Sequence, residues 1–194
     1  MSDIDPSQLA GKVYVAAKAA FSALMREHPW ETFYVFGLWT DDSLQFLQPM
    51  ANTEESLTDT VQRYRTEVDP EHGTVSSHDN LRWSYGDWGF IACDEGAHFD
   101  DINALLGENF DRLMELDEED EDEDVVNEEL DRLISAMATG LHRLSIDGFF
   151  GTGAARDRVT LMIVGDLPQD FIDASVRMMN PPAVYERYMQ QKKT

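Results

Sequence analysis

The sequence predicts an α/β protein of the α+β type, with a mixed or antiparallel central sheet covered by helices. Three observations carry this. ETFYVFGLWT at 31–40 and RVTLMIVGD at 158–166 are apolar on both faces, as strands covered on both sides must be. Around them run stretches with apolar residues three and four apart, the period of a helix with one buried side. At 194 residues, with 42% hydrophobic residues, ten Phe and four Trp, the chain can build a core without disulfides or a structural metal. Residues 1–194 are read as one domain.

The first helix opens at Asp5, a cap, with Pro6 in the first helical position and Gln8 at the return position of a capping box. Ile4 and Leu9 have the spacing of a hydrophobic staple. Leu9, Val13, Ala16, Ala17, Ala20, Phe21 and Leu24 make one apolar face, and His28-Pro29 ends it. In the strand that follows, Phe33, Val35 and Trp39 fall on one side, Tyr34, Phe36 and Leu38 on the other. Asp41-Asp42-Ser43 turns the chain into a shorter strand, LQFLQ at 44–48, closing a hairpin.

Asn52 and Glu55 have capping-box spacing and start a helix through Leu57, Val61, Tyr64 and Val68, stopped by Asp69-Pro70. NLRW at 80–83 has strand character and breaks into a helical turn where Ser84 and Asp87 repeat capping-box spacing. PQDFIDASVRMM and PPAVYERYMQQ close the chain as a helical pair, with Asn180 as the cap before Pro181.

Residues 117–124, DEEDEDED, are eight consecutive acids. Upstream, Ile102, Leu105, Leu106, Phe110, Leu113 and Leu116 follow a helical stripe; downstream, Val126, Leu130, Leu133, Ile134, Met137, Leu141 and Leu144 do the same. The run offers nothing to bury, and adjacent like charges oppose a compact helix. The expectation is a helical hairpin, 99–116 and 125–145, with the acids as its mobile joint. The last acids of the run favour the positive N-terminal end of the second helix. With no glycine and no alternating ligands, the run does not fit an EF-hand calcium loop.

Thirty-eight acids against fifteen Lys+Arg give a net charge of −23, and taking away the eight charges of the run still leaves −15. A nucleic-acid binder needs a positive surface to release phosphate counterions, and an anionic membrane repels a negative one. Direct binding to either is therefore not expected. Solubility remains, or attraction to a basic protein partner through a steered, salt-sensitive encounter. The single cysteine, Cys93, fits a reducing compartment. MSDIDPSQLA has neither the basic start nor the apolar stretch of a secretory signal. A cytoplasmic location is expected.

Catalytic signatures are missing. His28, His72, His78, His98 and His142, with Cys93, match no compact zinc spacing, so no metal and no cofactor are expected. GFFGTGAARD at 148–157 resembles a phosphate loop but lacks the Gly-Lys-Ser/Thr ending and precedes a strand; it reads as a flexible approach to that strand. No GxSxG elbow marks a serine nucleophile. No catalytic residue is assigned.

The most distinctive segment is NLRWSYGDWGF at 80–90. Its aromatics serve a core when their N–H and O–H groups are satisfied, and a binding surface when they are exposed. As a partner-binding surface, Arg82, Trp83, Tyr85 and Trp88 would supply the anchors, with Glu118, Glu119, Asp120 and Glu121 steering a basic protein towards them. An enzyme or ligand-binding alternative uses a pocket near Trp83, Trp88 and Arg82, with Asp87 or Glu55 as the acid–base carboxylate. A third reading makes the acidic surface a mimic of nucleic acid, so that deleting 117–124 abolishes binding.

These segments also resemble a known family. An N-terminal helix followed by FYVFGLWTDD, PMANTEESL, LRWSYGDWGF, RDRVTLMIVGD and SVRMMNPPAVYERY come in the expected order from about Phe21 to Tyr188. Together they resemble the bacterial domain-of-unknown-function 4303 family (DUF4303), in which DEEDEDED is an elaboration. The resemblance carries no activity and no catalytic residues. By analogy of size and style, it suggests the acidic immunity proteins that bacteria keep beside polymorphic toxins. The leading expectation is an uncharacterised cytoplasmic protein-binding domain of that immunity type, neutralising a basic, toxin-like partner.

Overall fold

The computed structural model describes residues 4–67, 75–91, 94–117 and 123–192. Helix α1 spans Pro6–Glu27, followed by β1 (Phe33–Thr40), β2 (Gln48–Thr53), α2 (Glu54–Glu67), α3 (Val75–Trp83) and β3 (Phe90–Ile91). Then come α4 (Asp100–Asp117), α5 (Glu123–Ile146), β4 (Thr160–Gly165), α6 (Gln169–Met179) and α7 (Pro182–Lys192). The strands form one mixed sheet in the order β3-β2-β1-β4, with β1 antiparallel to β2 and parallel to β4. The α+β class with a mixed, helix-covered sheet is thus the fold adopted. Among the described residues no helix is long and apolar enough to cross a membrane.

Each face of the sheet is closed by the apolar stripes read from the sequence. The Asp5 carboxylate accepts from the backbone N–H of Ser7 and Gln8 at 2.8 and 3.4 Å, and α1 ends at His28. Its face from Leu9 to Leu24 packs with α5, Phe99 and the α4 residues Ile102 and Leu106 against Phe36, Leu38, Leu161 and Ile163 of the sheet. Gly140 lets α5 approach α1, because a Cβ there would lie 2.5 Å from the Ala10 carbonyl oxygen. On the opposite face, Tyr34, Val35, Met50, Met162 and Val164 pack against Leu57, Leu81, Trp88, Ile172, Val176 and Tyr188.

Phe33 and Tyr34 exchange the sides expected of them. Pairing of β1 with β2 skips from Phe33 opposite Thr53 to Val35 opposite Asn52. Tyr34 is the extra residue of a β-bulge. Phe33 consequently stacks on Phe36 with ring centroids 5.1 Å apart, while Tyr34 and Val35 both face the other core.

The hairpin exists, but LQFLQ is not its second strand. Residues 44–47 are a connection, with Leu44 at φ 54 and the backbone of Leu47 held by the Asn103 amide of α4 at 2.7 and 3.2 Å. The strand is 48–53, and Asn52 lies in it instead of capping α2. Asn52 Nδ2 donates to the Tyr34 hydroxyl at 2.8 Å, and its Oδ1 accepts from Gly89 N–H at 3.1 Å. Thr53 takes the cap position, its Oγ1 accepting from Ser56 N–H at 3.1 Å. Polar residues masked this strand because their partners come from distant segments.

NLRW is the end of a helix, α3, and not a strand. The helix stops where the Arg82 carbonyl accepts from both Tyr34 Oη at 2.9 Å and Trp88 Nε1 at 3.1 Å. The helical turn after it is present at Tyr85–Asp87, where Ser84 Oγ donates to Asp87 Oδ2 at 2.8 Å. Asn180 closes α6 and turns its side chain onto β4, so it is not the cap of α7.

GFFGTGAARD is a set of hydrogen-bonded turns rather than a loose tether, with bonds from Gly151 to Gly148, Ala155 to Thr152 and Asp157 to Gly153. It is fastened by Arg156, which is 5% exposed and donates to Ser145 Oγ, the Val159 and Met179 carbonyls and Asn180 Oδ1. Burial pushes the guanidinium down to about 10, so it still carries its charge at neutral pH.

The two helices flanking the acidic run begin and end within two residues of expectation, and Arg112 pairs with Glu129 between them at 3.7 Å. The expected joint, 117–124, is shorter than its run of acids: Asp117 ends α4, Glu123 and Asp124 open α5, and residues 118–122 lie outside the described residues, as does Cys93.

Candidate functional site

Parallel pairing puts the N-terminal ends of β1 and β4 side by side, with Val35 opposite Thr160. The antiparallel β2 delivers Glu54 to the same end. Helix α3 brings Arg82 and Trp83 over this corner, and α7 brings Arg187 and Gln191 from one face, four residues apart. Between them lies a cleft of about 260 Å³, floored by Tyr34 and Thr160 with Arg158 at its mouth.

Three cations meet here. Arg82 is bound through both terminal nitrogens to Glu54, at 2.9 and 2.6 Å, with its guanidinium 4.3 Å from the centre of the Tyr34 ring. Burial opposes its charge, but Glu54 outweighs burial and holds the group above its usual range. Arg187 donates to the Asp157 carbonyl at 2.6 Å and to Thr160 Oγ1 at 3.4 Å. Burial and then the nearby charge of Arg82 lower it, partly offset by Asp157 and Glu54. Arg158 is exposed, and its side chain has no ion pair or hydrogen bond among the described residues. Against Glu54 alone, the lining carries an excess of two formal positive charges in a chain of net −23, with the Asp157 carboxylate near Arg187 just outside it.

The walls also hold unmet hydrogen-bonding capacity. Among the described residues five buried side-chain atoms lack a partner, and three belong to this cleft: Arg82 Nε, Trp83 Nε1 and Gln191 Oε1. Such groups cost about 1–3 kcal/mol each when left unpaired, and native folds keep few of them. Their concentration at one corner needs a reason. Trp83 is itself well supported, edge-on to Tyr34 and Tyr188 at 6.1 and 5.1 Å. It is the wall shared with a second pocket of roughly 190 Å³, lined by Met162, Val164, Ile172, Tyr85 and Tyr188.

The expected surface is only partly assembled. Arg82 and Trp83 line the cleft, and Tyr85 lines the adjoining pocket with its hydroxyl 3.4 Å from Asp166. Trp88 is 3% exposed and sits in the core. Glu118, Glu119, Asp120 and Glu121 lie outside the described residues. The two carboxylates of the enzyme alternative are committed elsewhere. Asp87 accepts from Ser84, Tyr64 and Arg63, at 2.8, 2.9 and 3.4 Å. Glu55 accepts from the Thr32 backbone and hydroxyl, which hold it below the usual carboxylate range. Among the described residues no group of three or more His, Cys, Asp or Glu is placed to hold a metal ion.

Sequence reasoning missed Arg158, Thr160, Arg187 and Gln191. The available signal was scarcity: in a chain with fifteen Lys and Arg, RDR before a buried strand and Arg187 one turn before Gln191 were cations without an acidic neighbour at helical spacing.

No curated protein and no solved structure matches the chain. Residues 13–181 match the family Domain of unknown function (DUF4303), a span that takes in β1, β2, β4 and α3 of the cleft and stops before α7 with Arg187 and Gln191, and the chain belongs to that family.

Proposed function

We propose that this chain is a binding domain whose recognition site is the Arg82–Arg158–Arg187 cleft, taking the anionic group of a ligand and doing no chemistry on it. One observation carries the reading: a lining with three arginines to one carboxylate, and three partnerless polar atoms, gathered at one corner of an acidic protein. At physiological salt, fields fade over about 8 Å, so the local cations outweigh the distant acids for a group already inside the cleft. The test is thermal unfolding of the protein in sodium phosphate, sodium acetate and N-acetyl-leucine against sodium chloride of equal ionic strength. A saturable rise in Tm is expected for at least one anion and is lost in R158A, whose side chain has nothing to support in the fold. If no anion raises Tm, or R158A responds as the wild type does, the reading is wrong.

A second reading rests on the charge of −23. It is a cytoplasmic immunity-type protein that captures a basic, toxin-like partner, with the acids steering the encounter and aromatic side chains docking it. The single cysteine supports a reducing compartment. Calorimetric titration with the product of the neighbouring gene is the check: absence of heat, together with no protection of cells, ends this reading.

A further inference from the structure

We infer that the anion accepted by this cleft is a carboxylate with a neutral N–H and a carbonyl beside it, as in an N-acylated amino acid or the C-terminal residue of a peptide. The inference rests on the anion-binding reading above and specifies its ligand.

The unmet groups set the terms. Arg158 and Arg187 supply donors for two carboxylate oxygens, in the manner that arginine commonly uses for such groups. Gln191 rises from the same face of α7 as Arg187, about 6 Å further along the helix axis. Its Oε1 lacks a donor. A bare carboxylate brings none, and inorganic phosphate brings only its own P–OH, with no carbonyl to follow it. An ammonium group brings one, but it would have to enter beside Arg82, Arg158 and Arg187, with Glu54 already bound by Arg82. A neutral N–H next to the carboxylate satisfies Gln191 without that repulsion.

The acyl carbonyl then answers the remaining orphan at this wall. Trp83 Nε1 is a donor without an acceptor. Carboxylate, N–H and C=O in sequence present acceptor, donor and acceptor, which is the complement of Arg158 with Arg187, Gln191 Oε1 and Trp83 Nε1. Capture of a terminal carboxylate by convergent donors is a recurring mode of peptide recognition. Trp83 Nε1 and Gln191 Oε1 are closed to water in the free protein, so Gln191 must swing off the wall as the ligand enters. Across Trp83 lies a pocket of mixed lining, where Met162, Val164 and Ile172 make an aliphatic wall alongside Asn80, Gln169 and Lys192; that wall suits an aliphatic terminal side chain.

Isothermal titration with five probes separates the outcomes: N-acetyl-leucine, N-acetyl-leucine amide, free leucine, 4-methylpentanoate and inorganic phosphate. The expected order has N-acetyl-leucine tightest and 4-methylpentanoate, which lacks both the N–H and the carbonyl, about 50-fold weaker: about tenfold for leaving Gln191 Oε1 unpaired and about fivefold for leaving Trp83 Nε1 unpaired. The amide, which lacks the charge, and free leucine, which brings an ammonium, are weaker still. In Q191L the gap between N-acetyl-leucine and 4-methylpentanoate narrows to about fivefold, the share of the carbonyl on Trp83 Nε1, while R158A weakens both. Circular dichroism confirms that the variants fold. Equal binding of the amide overturns the inference, and so does a gap that is unchanged in Q191L. Phosphate binding as tightly as N-acetyl-leucine in an Arg158-dependent way also overturns it, because the N–H and carbonyl beside the carboxylate then add nothing, yet leaves the anion-binding reading standing. If none of the probes binds, both fall.

Discussion

The side chain of Asn180 pairs with the backbone of Leu161 as a neighbouring strand would: its Oδ1 accepts from Leu161 N–H at 2.8 Å and its Nδ2 donates to the Leu161 carbonyl at 2.7 Å. Strand β4 is an edge of the sheet, and this amide, with Ser175 Oγ accepting from Ile163 N–H at 3.1 Å, satisfies the groups that an open edge would expose. The same Oδ1 accepts from buried Arg156 at 3.0 Å. Edge closure and the anchoring of the turns before β4 therefore share one residue, and those turns carry Arg158 into the cleft.

Replacing Asn180 with Ala orphans the Leu161 N–H and one guanidinium bond together. The expected cost is about 2–4 kcal/mol, as for buried groups left unpaired in concert. It appears as a lower urea midpoint with unchanged m, and as faster amide exchange at Leu161 than at residues of α1. Exchange that stays slow at Leu161 would show that the side chain is not what protects the edge.

Glycine substitutions give a contrast between two positions with positive φ. Gly165 has φ +144, and a Cβ there would lie 1.7 Å from the carbonyl oxygen of Thr40, its partner on β1. Gly153 has φ +53 with open space around it. G153A should cost about 1–2 kcal/mol, the price of a left-handed L-residue. G165A must displace backbone at the C-terminal end of the parallel pair and should cost more than about 4 kcal/mol or prevent folding. Urea midpoints that agree within error would refute the close packing of Gly165 on Thr40.

The elements with one-period patterns were legible without coordinates: α1 with its Asp5 cap, β1, β4 and the two helices flanking the acidic run. What escaped was structure whose cause lies in another segment. Asn52 and Thr53 look like a helix start, yet they are 1% and 0% exposed because Tyr34, Gly89 and Glu31 come to meet them. Alternation in β1 assigned Tyr34 to the wrong face because a bulge has no local signature there. Half of the cleft was found through Arg82 and Trp83. The other half needed the parallel pairing of β1 with β4, which brings Thr160 and the turn before it beside Tyr34, and no local pattern encodes that pairing.

Asp173 on α6 makes stability sensitive to acid. Its carboxylate accepts from the Tyr188 hydroxyl at 2.7 Å and from Lys192 Nζ at 2.7 Å, joining α6 to α7. Burial alone would raise the carboxyl, but Lys192 and Tyr188 outweigh it and hold it below its usual range. The folded value thus lies beneath the unfolded one, near about 3.9. The contribution is complete above that unfolded value and is lost as pH falls through the folded one. D173N should cost about 1–2 kcal/mol at pH 7. The gap in urea midpoint between D173N and wild type should narrow as pH drops below 4, and a gap that is constant from pH 7 to pH 3 would contradict this assignment.

Trp83 and Trp88 should respond oppositely to the same change. Trp88 is buried, packs among Tyr34, Leu57 and Leu81, and its Nε1 donates to the Arg82 carbonyl at 3.1 Å. W88F removes packing and a satisfied bond, so it should cost about 2–3 kcal/mol. Trp83 is half-buried, and its Nε1 has no partner. W83F loses some contact with Tyr34 and Tyr188 but also removes an orphaned donor, so the two effects offset and the net change should stay within about 1 kcal/mol. In binding the order reverses: W83F should weaken N-acetyl-leucine by about fivefold or more, while W88F, once its folding is confirmed by circular dichroism, should change affinity little. A group that the fold is better without, and the ligand is worse without, is kept for the ligand. Urea midpoints and calorimetric affinities for the two variants check this directly, and a W83F protein that is both destabilised and unaltered in binding would place Trp83 among the ordinary packing residues.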